Sequence, residues 1–151
     1  RLIGRSLRAV TDMKALGERT YLIDCDVLQA DGGTRTAAIT GSYVALYQAF
    51  EALRQRDLLT QIPFKSSVGA ISTGIVRNEF LLDLCYEEDY QAAVDFNVVM
   101  TDQAQLVEIQ GTAEEEPFSK DAMQALLSLA TEGIKYLGQI QQEAIHKKEF
   151  V

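Results

Sequence analysis

Between residues 68 and 111 the chain reads as four strand-like runs, and their short connections restrict the fold more than any other feature. Val68–Val76 (VGAISTGIV) is followed by 79–86 (EFLLDLCY) after only Arg77 and Asn78. Residues 92–101 (AAVDFNVVMT) are followed by 104–111 (AQLVEIQG) after only Asp102 and Gln103. Two residues are too few for a parallel crossover, so each pair reads as an antiparallel hairpin. In the third run Val94, Phe96 and Val98 take one face, while Ala93, Asp95, Asn97 and Val99 take the other.

Helical periodicity flanks these runs. In Thr34–Arg54, the positions Ile39, Tyr43, Leu46, Phe50 and Leu53 step by four, three, four and three, the spacing of one buried stripe. After Pro117, Ser119 is a good N-cap for a long final helix bearing Met123, Leu126, Leu127, Ala130, Ile134, Leu137 and Ile140 on one side. Residues 1–16 predict an amphipathic helix with Ile3, Leu7, Val10 and Met13 inward and Arg1, Arg5 and Arg8 on another stripe, ended by Gly17. Residues 21–28 (YLIDCDVL) alternate and predict a further strand, and 57–65 predict a loop around Pro63. The expectation is one α+β domain over residues 1–151, in the order αβαββββα, with a mainly antiparallel sheet and helices packed on it.

Composition narrows the function classes. Apolar residues make up 47% and charged residues 24% of 151, an ordinary globular balance. No run of eighteen apolar residues is present, so no membrane association is expected. A net charge of −8 argues against coating nucleic acid through a general basic surface. The charge is uneven, however. Residues 1–19 hold five bases (Arg1, Arg5, Arg8, Lys14, Arg19) against two acids, whereas residues 83–121 hold eleven carboxylates against Lys120. Such ends either bracket a phosphodiester and a metal ion or are solvated faces. Cys25 and Cys85 have no metal or redox spacing and read as buried, reduced thiols suited to the cytoplasm. His146, the single histidine, stands in the last turn of the final helix, where a cation suits the dipole. The helix under way at Arg1 suggests that the sequence starts inside a longer protein.

Two segments carry chemistry. Asp31 to Gly41 (DGGTRTAAITG) leads from a strand into a helix. Helix N-termini offer unpaired N–H groups and roughly half a positive charge. Gly33 and its neighbour Gly32 permit close approach to the backbone, Thr34 and Thr36 offer hydroxyls, and Arg35 a fork matched to phosphate oxygens. The segment is an anion cradle or an ordinary capped turn; it is not a Walker loop, because no Gly-Lys-Ser/Thr follows. In the second segment, 81–97, Asp89 follows one strand and Asp95 lies in the next, so a short connection can bring them together. Converging carboxylates suit Mg²⁺, which bridges substrate phosphates and stabilises an oxyanion leaving group. Glu87 and Glu88 read as solvated loop charges, and Asp83 as structural or supporting.

The blocks RLIGRSLRAV, LGERTYLIDCDVLQADGGTRTAAITG, LLDLCYEEDYQAAVDFNVVMT and VEIQGTAEEEPFS together resemble the bacterial ribonuclease PH family over essentially the whole chain. The resemblance implies a phosphate-dependent 3′-to-5′ exoribonuclease, a tRNA nucleotidyltransferase. Such enzymes trim tRNA precursors and other RNA 3′ ends with inorganic phosphate and assemble as hexameric rings. It further implies a preceding segment of several tens of residues, with early strands and an arginine near the active site. Thr34 and Arg35 match the family's phosphate-binding pair, and Asp89 and Asp95 its metal and catalytic positions, Asp95 as general acid or metal ligand. Arg1 and Arg5 are candidate RNA contacts, with a solvated face as the other reading. The alternative function is an inactive fragment or a silent RNA-binding or structural subunit of a related ring. Silent members tend to lose the arginine or the aspartates, which this chain retains. Cys85 departs from the asparagine common in relatives.

Overall fold

The computed structural model describes residues 1–114 and 116–147; Glu115 of the acidic stretch lies outside them. Strand β1 (Val68–Val76) pairs antiparallel with β2 (Glu79–Leu82), Val76 lying opposite Glu79. Arg77 and Asn78 between them take φ values of 51° and 66°. Two left-handed residues are what a type I′ hairpin turn needs to match strand twist. Strand β3 (Val94–Thr101) pairs antiparallel with β4 (Leu106–Ala113), and β1 also pairs antiparallel with β3, Ile71 facing Val98. The order is β2-β1-β3-β4, so the two expected hairpins join through their first strands into one antiparallel sheet.

Helices cover both faces. Helix α1 (Leu2–Val10) and helix α3 (Thr34–Arg54) lie on one side, where Leu7, Val10, Ile39, Tyr43, Leu46 and Phe50 form a core with Val68, Ala70 and Val99. Helix α5 (Lys120–His146) covers the other, packing Leu126, Ala130 and Ile134 on Ile71, Val94, Phe96, Val98 and Met100. Ser119 caps α5 as expected, its hydroxyl accepting from Ala122 N–H at 3.1 Å. Near the far end of α5, the buried Gln141 amide donates to Thr40 O at 3.0 Å and Val68 O at 2.9 Å, tying α5 to α3 and β1.

Four expectations are corrected. The helix over 1–16 is interrupted: Thr11 turns extended (φ −94°, ψ 134°) and bridges Phe64, and Asp12 caps a separate turn, α2 (Met13–Leu16). Backbone bonds from Asp12 N–H to Pro63 O and from Lys65 N–H to Val10 O, both 2.8 Å, show the cause. The 57–65 loop takes up the backbone groups that a continuing helix would have used. Met13, left outside the stripe, is exposed. Second, residues 21–28 take no regular secondary structure and pair with no strand among the described residues, and Leu22 and Leu28 are over nine-tenths exposed. Alternation supplies a strand's faces but not its ladder partner.

Third, β2 ends at Leu82 rather than running to Tyr86. Asp83 takes φ 58°, and its N–H and that of Leu84 donate to Ser72 O and Oγ. The chain then forms a short helix, α4 (Tyr86–Tyr90), so Glu87, Glu88 and Asp89 are helical rather than in a loop. Glu88 folds back to accept from Cys85 N–H at 3.0 Å. Fourth, the cysteines are not buried: Cys25 is exposed, 3.2 Å from the Ser42 hydroxyl, and Cys85 is half-buried; both are free thiols. No helix among the described residues is long and apolar enough to cross a membrane.

Candidate phosphate and carboxylate site

Helix α3 begins at a glycine in the left-handed region, Gly33 (φ 69°, ψ 27°), and no side chain caps its first turn. Its leading N–H groups are therefore available to an anion, with the helix dipole behind them. The two glycines do different things. A Cβ on Gly32 would stand 2.0 Å from Leu84 O, so Gly32 makes room for the chain's own backbone at the β2–α4 connection. Gly33 supplies the left-handed turn that other residues adopt only at a cost. Asp31 completes the joint. Its Oδ1 accepts from Tyr86 N–H at 2.6 Å and Gly32 N–H at 2.8 Å, and these bonds hold its carboxyl below the usual carboxylate range.

Around this joint the four expected cradle residues separate. Thr36 is buried and its hydroxyl donates to Gly33 O at 2.7 Å, so it stiffens the turn from inside. Thr34 is half-buried and Arg35 exposed, and Arg35 makes no ion pair among the described residues. A Cβ on Gly33 would meet Ser72 Oγ at 3.5 Å and Asp83 Oδ1 at 4.0 Å, which places Asp83 beside the same turn.

The carboxylates come from the other side. Asp95 lies half-buried in β3 and accepts from Asn97 Nδ2 at 2.8 Å, the same-face pair that alternation predicts. Asp89 is exposed on α4, and its carbonyl accepts from Ala92 N–H at 3.2 Å, which tightens the turn leading into β3. Burial pushes the Asp95 carboxyl up, and the charge of Asp89 pushes it the same way. Arg35 and the Asn97 bond pull it down. Asp89 on α4 and Arg35 in the first turn of α3 are thus among the charged groups that act on Asp95 in β3. Arg35, Thr36 and Asn97 also line one hollow with Leu2, Glu108 and Gln110.

Among the described residues no three His, Cys, Asp or Glu side chains converge into a closed metal cage. Asp89 and Asp95 instead suit Mg²⁺, which is usually held by one or two carboxylates and completes its shell with water and phosphate. At the rim of the hollow Arg5 pairs with Glu108 at 2.9 Å while its side chain stays 62% exposed; Arg1, the N-cap of the same helix, is also exposed. The sequence reading did not single out Tyr86 and Tyr90, which stand exposed on α4 beside Asp89; their i, i+4 spacing was the available signal.

Comparison with known proteins decides the family. The model of the 3′ exoribonuclease family, domain 1, matches residues 1–50, and that of the same family, domain 2, matches residues 66–133. The chain belongs to the 3′ exoribonuclease family. It is 55% identical over 142 residues to ribonuclease PH of Dehalococcoides mccartyi strain CBDB1, and 55% identical over 141 residues to that of strain 195. The match takes in 94% of this chain and 59% of the CBDB1 relative, so the chain spans somewhat over half the length of the ribonuclease PH proteins it resembles. The crystal structure of rice (Oryza sativa) Rrp46 shares the fold, with a TM-score of 0.70 at 16% identity, over 96% of this chain and 63% of that one. In the present chain the segments matched by the two family models share a core, through the contacts of Ile39, Tyr43 and Phe50 with Val68, Ala70 and Val99.

Proposed function

We propose that the full-length protein is a phosphate-dependent 3′-to-5′ exoribonuclease that trims the 3′ ends of tRNA precursors and other RNAs, releasing nucleoside diphosphates. What supports this reading is the uncapped α3 N-terminus bearing Arg35, together with the influence of both Arg35 and Asp89 on the half-buried Asp95. Thr34, Arg35 and the first-turn N–H groups hold inorganic phosphate. One of its oxygens attacks the terminal phosphodiester in line; the bond to the 3′ oxygen of the preceding nucleotide breaks, and that oxygen takes up a proton. An ionised phosphate needs positioning and charge neutralisation more than a strong base. Asp89 and Asp95 would hold Mg²⁺, which would supply charge neutralisation at the phosphoryl group. Asp95 would serve either as the general acid that protonates the leaving oxygen or as a metal ligand. Arg1 and Arg5 extend the positive rim toward the RNA backbone. A hexameric ring of copies in the cytoplasm completes the proposal.

Incubating the full-length protein with a tRNA precursor, Mg²⁺ and phosphate tests it. Nucleoside diphosphates should appear only when phosphate is present. Monophosphates released by water would sink the reading, and RNA binding without any product would favour a silent subunit instead.

A further inference from the structure

We infer that Tyr86 and Tyr90 form a stacking platform for the base of the RNA's 3′-terminal nucleotide; the inference rests on the phosphorolytic reading of the neighbouring site. The two rings are 65% and 81% exposed, with centroids 6.4 Å apart and planes within 23° of parallel. Two large rings left in water beside one another are apolar surface that a flat, π-faced ligand can cover. Positions 86, 89 and 90 are related by i, i+3 and i+4, so Asp89 shares the helix face that bears both rings. The platform is also fixed in place. Tyr86 N–H is held by Asp31 at 2.6 Å, immediately before Gly32 and Gly33 of the cradle, and Glu88 closes the first turn on Cys85 N–H.

Charge selects the occupant. Helix α4 carries Glu87, Glu88 and Asp89 and no base, so it repels a phosphate backbone lying along it. An uncharged base has no such penalty. A nucleotide whose scissile phosphate lies between the inorganic phosphate held at Arg35 and the carboxylates projects its base away from those charges, and the exposed rings lie on the same face as Asp89. Stacking tolerates any base, as an enzyme that removes successive 3′ nucleotides requires.

The test uses the full-length protein without phosphate, so that the RNA stays intact, and an oligoribonucleotide with 2-aminopurine at its 3′ terminus. Binding should quench the fluorophore in the wild type and in the Tyr86→Phe/Tyr90→Phe variant, but not in Tyr86→Ala/Tyr90→Ala. Both rings are solvent-facing, and an unchanged circular dichroism spectrum confirms that the variants fold. With phosphate added, the alanine variant should raise KM for RNA roughly 5- to 150-fold and leave KM for phosphate unchanged. Equal quenching in wild type and alanine variant overturns the platform, as does quenching that is the same with 2-aminopurine placed internally. A wild type that quenches terminally yet releases no nucleoside diphosphate upholds the platform and removes the phosphorolytic reading.

Discussion

Arg35 stands exposed at the open end of α3 with no ion-pair partner among the described residues, whereas Asp95 is half-buried in β3 between the influences of Asp89 and Arg35. Their substitutions should therefore separate kinetically. Loss of a charge-assisted contact predicts that Arg35→Ala raises KM for phosphate about 10- to 100-fold while KM for RNA moves little. Asp95→Asn keeps the shape and the Asn97 neighbour but removes the charge and the proton; kcat should fall on the order of 100-fold. Steady-state kinetics with each substrate varied in turn checks both, and unchanged kinetics would overturn the site assignment. Asp31 gives a pH test. Its folded-state pKa lies below the ordinary 3.8, held there first by Tyr86 N–H and then by Gly32 N–H. A depressed folded pKa stabilises above the unfolded value, and that contribution is lost as pH falls through the folded value. The difference in Tm between the protein and Asp31→Asn should be full at neutral pH and shrink below 3.8. A difference that stays constant down to pH 2 would dissociate Asp31 from the α4 contact.

Helix α3 was readable because its apolar stripe and its glycine start agree, and its bounds follow the periodicity to the residue. Helix α4 was not. The run 79–86 alternates like a strand, and nothing local announces that Asp83 will turn left-handed to meet Ser72. That turn is settled by the neighbouring strand and by the approach of Gly32 to Leu84 O. Gly32→Ala should accordingly disturb both elements at once. With no space for the added methyl, it should cost about 1–3 kcal/mol, read by denaturant unfolding, and lower phosphorolysis by moving α4. A variant as stable as the parent would show that the α3–α4 joint is looser than its 2.0 Å approach implies. The break at Thr11 has the same origin: helical periodicity continues through it, but the loop at Pro63 and Phe64 supplies competing backbone bonds.

Across the whole molecule, one sheet carries a large core on each face, and α5 is the element that binds the faces together. Phe96, 1% exposed, sits under α5, and its truncation to alanine should cost about 3–5 kcal/mol. Gln141→Ala leaves the half-buried Thr40 and buried Val68 carbonyls without their amide donor, a loss of about 1–3 kcal/mol. Gln141→Glu should be at least as harmful, because a carboxylate has no hydrogen to give those carbonyls. Thermal unfolding of the three variants measures the ordering. The architecture was visible early: short connections forced two hairpins, and two long amphipathic stretches had to cover the sheet.

What the sequence determined by itself was local. Periodicity set the long helices, two-residue connections set the hairpins, and residue type marked Arg35, Asp89 and Asp95 as able to hold phosphate and metal. Tertiary structure decided what depends on distant neighbours. It turned Thr36 inward, gave Gly32 a packing role and made Asp31 the tie to α4. It left residues 21–28 without a ladder partner among the described residues, since a strand's hydrogen bonds are made by another strand. It also raised Asp95 through burial and Asp89, an effect of positions that β3 and α4 acquire only when folded. The chemistry was legible in the residue types; the influence of Asp89 and Arg35 on Asp95 was a property of the packed sheet and helices.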